Sequence, residues 1–113
     1  MAHQTERFAS FVKKEIALFL EAHVPRPADS FVSVTGIEVH ESFEYVRVFV
    51  SVFPEKYQNE VMKELSRFQK EARAFIASRL KRHKIPEIHF VLDTQYESRV
   101  RLEKLLENIE DKE

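Results

Sequence analysis

The 113-residue sequence predicts an α+β fold in which a three-stranded mixed sheet has helices packed on one face. Apolar residues recur at helical spacing near the two ends and in the middle of the chain, and strand-like apolar segments lie between these stretches. The resulting order is α-β-β-α-α-β-α. A hairpin followed by a helical crossover into a third strand predicts that strands two and three are parallel.

The first predicted element is a helix from Thr5 to about Ala22. Its apolar residues recur every three or four positions, at Phe8, Phe11, Val12, Ile16, Phe19 and Leu20. Thr5 suits the N-cap, because its hydroxyl can accept a hydrogen bond from a free backbone N–H. The segment Val24-Pro25-Arg26-Pro27 ends the helix as a stiff loop, because prolines disfavour helical backbone.

The next two elements are strands that form a hairpin. Phe31 to His40 alternates apolar and polar residues, and Gly36 within it marks a bulge or a close backbone approach. A short turn at Glu41-Ser42 follows. Phe43 to Phe53 is richer in β-branched and aromatic residues, which predicts a central strand covered on at least part of both faces.

Pro54 opens the crossover, which consists of two helical stretches. Residues of one apolar face recur through it, at Val61, Leu65, Phe68, Ala72, Ile76, Ala77 and Leu80. One continuous helix would be long for so short a chain, so we expect a break or kink near Ala72 to Ala74.

The third strand opens at Pro86, where a missing N–H does least harm. Asp93 or Thr94 then caps a last helix. The apolar residues of that helix are Val100, Leu102, Leu105, Leu106 and Ile109. We expect a single domain over residues 1–113, with residues 110–113 as a frayed tail, because no linker or repeat interrupts the chain.

Several functional classes lose support from the composition. The sequence has no cysteine, its five histidines are not spaced as a metal pair, and no Gly-rich phosphate loop is present. The carboxylates are dispersed, whereas acid–base catalysis needs them to converge. We therefore expect no enzymatic activity, no metal and no cofactor. No apolar run approaches a membrane span, and we expect a cytoplasmic monomer with no membrane or DNA partner.

The strongest functional signal is a basic segment from Lys63 to Lys84. Its net charge is +6, whereas the rest of the chain has ten basic and 17 acidic residues. The basic residues are Lys63, Arg67, Lys70, Arg73, Arg79, Lys81, Arg82 and Lys84. Exposed cations on a solvated helix face, or in a last helical turn, would explain any one of them. Because so few acidic residues are interleaved, we favour binding of a polyanion.

The kind of polyanion follows from the residues around the cations. A helix N-terminus after a kink can bind phosphate through free N–H groups. The phenylalanines fall mostly at core spacing, so we expect shape and backbone contacts rather than base stacking. His40 and His89 are interpreted as partly exposed strand residues. A lipid surface is disfavoured, because the apolar face of the basic helices is needed by the sheet.

The α-β-β-α-α-β order is that of type II KH domains, and the chain resembles the bacterial ribosome-binding factor A family (RbfA). The resemblance is carried by residues 32–39 and 46–52 of the hairpin, by Ile85-Pro86-Glu87-Ile88-His89-Phe90-Val91-Leu92-Asp93, and by residues 99–106. It implies a non-catalytic cytoplasmic factor without a cofactor. Such a factor binds free small ribosomal subunits and 16S rRNA, assists late 30S maturation and rRNA processing, and supports growth in the cold. A ribosome-associated GTPase would promote its release.

One departure from the family affects the predicted site. The family has an interhelical A-x-G kink, and the matching triplet here is Ala72-Arg73-Ala74. Alanine does not adopt positive φ as readily as glycine, so the kink is expected to be shallower or the helices nearly continuous. The alternative function is a protein–protein interaction domain of KH-like or ferredoxin-like shape whose basic segment binds an acidic partner.

Overall fold

A computed structural model describes residues 2–81 and 84–111, with side chains for residues 5–81 and 84–109. Arg82, one of the predicted contacts, and tail residues 112–113 lie outside the described residues. The elements are α1 (Ala2–His23), β1 (Phe31–Val39), β2 (Tyr45–Phe53), a 3₁₀ turn (Glu55–Tyr57), α2 (Gln58–Arg67), α3 (Gln69–Arg79), β3 (Glu87–Leu92) and α4 (Thr94–Asp111). The predicted order and α+β class are confirmed. Within the described residues, no helix has the length and apolar character needed to cross a membrane.

The sheet has the order β1-β2-β3, with β1 antiparallel to β2 and β2 parallel to β3, as predicted. Cα partners run from Phe31–Phe53 to Val34–Val50, and pairing resumes at Gly36–Phe49. Thr35 is therefore the extra residue of a β-bulge. A Cβ added to Gly36 would meet only the Phe49 side chain, at an ordinary contact distance of 3.9 Å. Of the two predicted features at Gly36, the structure therefore has the bulge and not the close backbone approach.

The core lies between one face of the sheet and helices α1, α2 and α3. Alternate side chains of β2 and β3 point into it, and they pack with the apolar faces that the helical spacing predicted. Its fully or almost fully buried residues include Val12, Ile16, Val46, Val48, Val50, Val52, Val61, Leu65, Ala72, Ile76 and Ile88. The opposite, open face of the sheet carries exposed Arg47 and His89 and half-buried Tyr45 and Phe49.

Two predicted boundaries were wrong. Helix α1 begins at Ala2, so Thr5 lies inside it and is not its N-cap. Strand β2 begins at Tyr45, because Phe43 turns the chain with a positive φ of 59° and donates its N–H to His40 O at 2.8 Å. In that turn the Phe43 ring meets Phe8 edge-on, with centroids 5.8 Å apart. The aromatic contact places Phe43 over the first helix rather than in the strand.

The predicted break between Ala72 and Ala74 was also wrong. Both residues lie within α3, and the break falls at Phe68, with φ −96° and ψ 8°. The Phe68 N–H is shared between Glu64 O at 3.2 Å and Leu65 O at 3.1 Å, which tightens one turn without separating the two helices. Alanine has the highest helix propensity, so a triplet with two alanines and no glycine continues the helix.

Helix α3 ends at Arg79, because Leu80 is extended with φ −122° and ψ 137°. Lys81 and Lys84 therefore lie in the segment between α3 and β3, and their predicted place on a helix face was wrong.

The start of α4 is fixed by Asp93, which was one of two predicted caps and accepts the Tyr96 N–H at 2.9 Å. Glu97 of α4 accepts the Val52 N–H at 3.2 Å. Val52 lies beyond Val50, the last residue of β2 that pairs with β3. Arg101 pairs with Glu55 at 2.8 Å. Whereas these polar side chains of α4 contact the rest of the protein, four of its apolar residues are 51–60% exposed, namely Leu102, Leu105, Leu106 and Ile109. The helix thus attaches through polar contacts, and its apolar stripe adds nothing to the core.

Candidate nucleic-acid interface

A groove of about 240 Å³ lies between the first turns of α3 and the outer edge of β3. Its lining is supplied by Gln69, Lys70, Arg73, Glu87, Ile88 and His89. Gln69 holds the two walls together, because its Oε1 accepts the Phe90 N–H at 3.0 Å. This bond occupies a backbone donor on the free edge of β3 and leaves the groove open beside it.

Arg73 connects α3 with the segment that enters β3. Its Nε and Nη2 donate to the carbonyl oxygen of Ile85 at 3.1 and 2.8 Å. A planar guanidinium carries five N–H donors, so three remain for an anion in the groove. Arg73 was predicted as a phosphate contact, which stays a prediction; the structure shows that it holds the chain after Lys84 through the Ile85 carbonyl.

Two other predicted arginines have acidic partners. Arg67 pairs with Glu64 on the surface of α2 at 2.9 Å. Arg79 Nε lies 3.2 Å from Glu15 Oε2 of α1, and its guanidinium carbon is 4.7 Å from the centre of the Phe75 ring. The Glu15 side chain is only 12% exposed. Arg79 therefore compensates a nearly buried carboxylate, which reduces the charge that it can offer to a ligand.

Lysines supply the charge that remains available. Among the residues with described side chains, Lys63, Lys70, Lys81 and Lys84 are exposed and take part in no ion pair. Lys70 lines the groove, and Lys84 immediately precedes the carbonyl that Arg73 binds. The structure thus brings Lys70 and Arg73 together, while Lys63 and Arg67 lie on the preceding helix.

A row of aromatic rings crosses one end of the open sheet face, and the sequence interpretation missed it. The Tyr45 ring lies between His40, with centroids 4.5 Å apart, and His89, with centroids 5.7 Å apart. Arg47 lies over Tyr45 at 5.0 Å and pairs with Glu38. The hydrogen bond to Glu38 raises the pKa of Arg47.

Part of this row could have been found from the sequence. His40 and Tyr45 flank the hairpin turn, and hairpin neighbours lie opposite each other. The place of His89 in the row could not be predicted, because it depends on the register of the parallel strands, which pairs His89 with Arg47. No group of three His, Asp or Glu residues suited to a metal occurs in the described part of the chain.

The element order, the sheet order and the two consecutive crossover helices define a KH-like α+β domain. The family model described as Ribosome-binding factor A matches residues 4–106. The chain therefore belongs to the ribosome-binding factor A family.

Curated relatives agree over nearly the whole chain. Ribosome-binding factor A of Desulforamulus reducens is 31% identical over 114 residues, covering 100% of this chain and 95% of the relative. The protein of that name from Halothermothrix orenii is 33% identical over 111 residues, covering 97% and 91%. The match thus includes all the elements that build the groove.

Solved structures share the fold. The crystal structure of ribosome-binding factor A from Thermus thermophilus superimposes with a TM-score of 0.67 at 18% identity, covering 78% of this chain and 93% of that one. A Thermus thermophilus RbfA homology model fitted into the cryo-EM map of a 30S–RbfA complex gives 0.60 at 20% identity, covering 74% and 88%.

Proposed function

We propose that this protein binds the small ribosomal subunit through 16S rRNA and assists its late maturation without catalysing a reaction. The observation that carries the proposal is the groove between α3 and β3, where Lys70 and Arg73 face an open strand edge. Membership of the ribosome-binding factor A family supports it, as does the 30S complex to which the Thermus thermophilus protein was fitted.

The mechanism is stoichiometric. The factor occupies immature rRNA, favours one conformer and then leaves, which promotes rRNA processing and matters most in the cold, where misfolded RNA rearranges slowly. A ribosome-associated GTPase promotes its release, and the factor acts as a cytoplasmic monomer without a cofactor. Helical cations beside a groove suit this task, because contacts to phosphate position a protein on RNA.

The proposed contacts divide into two groups. Lys63, Lys70, Lys81 and Lys84 bind phosphates directly, together with Arg82 from the same segment of sequence. Arg73 binds phosphate while it holds the Ile85 carbonyl. Arg67 and Arg79 contribute less, because each already faces a glutamate.

The test compares two double variants with the same change of charge. Lys70→Glu with Lys84→Glu reverses one cation that lines the groove and one that directly precedes Ile85, and Lys13→Glu with Lys14→Glu reverses two exposed cations on α1. Co-sedimentation with purified free 30S subunits is measured across a salt series. We expect the groove variant to bind at least tenfold more weakly with a flatter salt dependence, because it forms fewer phosphate contacts. Equal affinities for the two variants would refute the placement of the site.

The alternative is a protein–protein interaction domain that binds an acidic partner through the same segment. It is favoured by the glutamate partners of Arg67 and Arg79, which leave fewer unpaired cations in the segment for the many phosphates of a nucleic acid. Nuclease treatment separates the two functions. Co-migration with small subunits that is lost after RNA digestion supports the first, whereas a protein complex that survives digestion supports the alternative.

A further inference from the structure

We propose that His89, at the groove end of the row His40–Tyr45–His89, is a stacking site for an unpaired nucleobase. This inference rests on the proposed function and narrows its RNA ligand to a single-stranded segment with unstacked bases. It replaces the expectation that base stacking plays little part.

The first argument is the geometry of the row. His40 follows β1, Tyr45 begins β2 and His89 lies within β3, so the rings cross all three strands at one end of the sheet. The planes of neighbouring rings are inclined by only 30° and 34°. These tilted rings form a contiguous aromatic surface, and a nucleobase could add to its end by offset stacking.

The second argument is the position of His89. Its ring centroid lies 5.7 Å from that of Tyr45, and the residue also lines the groove that contains Lys70 and Arg73. Its side chain is 47% exposed. A base stacked on His89 would therefore place its own sugar–phosphate within the basic groove. This combination of a ring face and adjacent cations matches the two chemical parts of a nucleotide.

The third argument is that the fold does not need these rings for its core. Val46 and Val48 are completely buried on the other face of β2, whereas Tyr45 and Arg47 lie on the open face. The cation above Tyr45 adds a further attraction for an electron-rich ring. Aromatic residues on an otherwise solvated sheet face are an established means of holding single-stranded RNA.

Nearby carboxylates do not oppose this assignment. Glu38 is paired with Arg47, and Glu87 Oε2 lies 3.1 Å from His89 Nε2. Glu38 thus pairs with a cation beside the row and Glu87 with a ring of the row, and the ligand group that meets the row is an uncharged base. An acidic protein partner would use the groove cations but would have no need of stacked rings, so RNA fits the surface better.

The test is equilibrium binding of a fluorescently labelled single-stranded RNA oligonucleotide, with the duplex of the same sequence as comparison. His89→Ala should weaken single-strand binding roughly 5- to 100-fold, the usual effect of losing one base–aromatic stack. The slope of affinity against salt should not change, because no cation is lost. His89→Phe, the matched control, keeps a ring and should retain most of the affinity. Duplex binding should be unaffected in both.

Three results would overturn the proposal. One is unchanged single-strand affinity in folded His89→Ala protein, and another is a salt slope that flattens together with the affinity. The third is loss of 30S binding with normal oligonucleotide binding, which would assign the row to a protein contact. If His89→Ala does not fold, His89→Leu provides the same test with an apolar side chain that has no π face. The charge-reversal pair at Lys70 and Lys84 reports separately on the proposed function.

Discussion

Thr35 Oγ1 donates a 2.6 Å hydrogen bond to Asp93 Oδ2, and this bond ties the bulge of β1 to the start of α4. β1 and β3 are not neighbours in the sheet, so the bond links its two outer strands past the intervening β2. Asp93 uses its other oxygen to cap α4 through the Tyr96 N–H. The bulge thus has a structural consequence, because it displaces Thr35 to a position from which its hydroxyl reaches Asp93, the N-cap of α4.

The bond should make stability depend on pH in a defined direction. The Thr35 hydroxyl, followed by the Tyr96 N–H, lowers the pKa of the Asp93 carboxyl below its usual 3.8. A carboxyl whose pKa is lower in the folded than in the unfolded protein stabilises the fold at every pH above its unfolded-state pKa. This stabilisation is lost as the pH falls through its folded-state pKa. Thr35→Val should therefore cost about 1 kcal/mol at neutral pH and less in acid. Urea unfolding at a series of pH values measures the difference.

Asp93→Asn provides the control for that experiment, because an amide does not titrate. In its background, the effect of Thr35→Val should no longer vary with pH. A difference between wild type and Thr35→Val that stayed constant down to strongly acidic pH would show that the carboxylate is not involved.

Arg73 should be sensitive to replacement by lysine even though the charge is kept. Lysine has no rigid fork from which two N–H groups converge on the Ile85 carbonyl oxygen, so the segment before β3 should lose its fixed position. We expect Arg73→Lys to speed amide hydrogen exchange at Lys84, Ile85 and Glu87 and to weaken 30S binding several-fold. Arg67→Lys is the matched control, because Arg67 is itself exposed and pairs with Glu64 on its own helix. Identical behaviour of the two variants would show that Arg73 contributes its positive charge and that its hydrogen bonds to Ile85 are unimportant.

Arg79 should matter more for stability than for binding. Arg79→Glu would place a carboxylate against Glu15, whose side chain is almost buried, so we expect a loss of about 1–2 kcal/mol in unfolding free energy. Adding Glu15→Gln should recover much of that loss, because it removes the like charge. Urea denaturation of the two single variants and the double variant measures the coupling. Weaker rRNA binding at unchanged stability would instead restore Arg79 as a phosphate contact.

The fold was largely predictable because spacing of apolar residues reports directly on packing. The valines of β2 and the helical faces through Ile16 and Leu65 are buried as their periods indicate. Positions set by particular side-chain contacts were not predictable. Phe43 leaves the strand to meet Phe8, and nothing in the local alternation indicates that contact. The stripe through Leu105 has core spacing and yet is exposed, because the helix attaches by other residues.

The site was predicted in part for the same reason. Charge counting found the segment that contains Lys70 and Arg73, and the structure places both residues in one groove. The count of charged residues could not show that Arg79 forms an ion pair with Glu15, since the two residues are far apart in sequence. It also gave no hint that His89 would share the groove with them, because that requires the register of a parallel pair.

Ala74 gives a direct test of where the crossover bends. It is exposed and lies within α3, whereas the break falls at Phe68. Ala74→Gly would introduce the glycine of the family kink into a regular helix, and we expect it to cost about 1 kcal/mol, or roughly 4 °C in melting temperature. Ala17→Gly is the matched control, because Ala17 is an exposed residue in the middle of α1. Equal losses in thermal unfolding would show that position 74 is an ordinary helical site. A stabilising or neutral Ala74→Gly would indicate that this position favours the backbone of a kink.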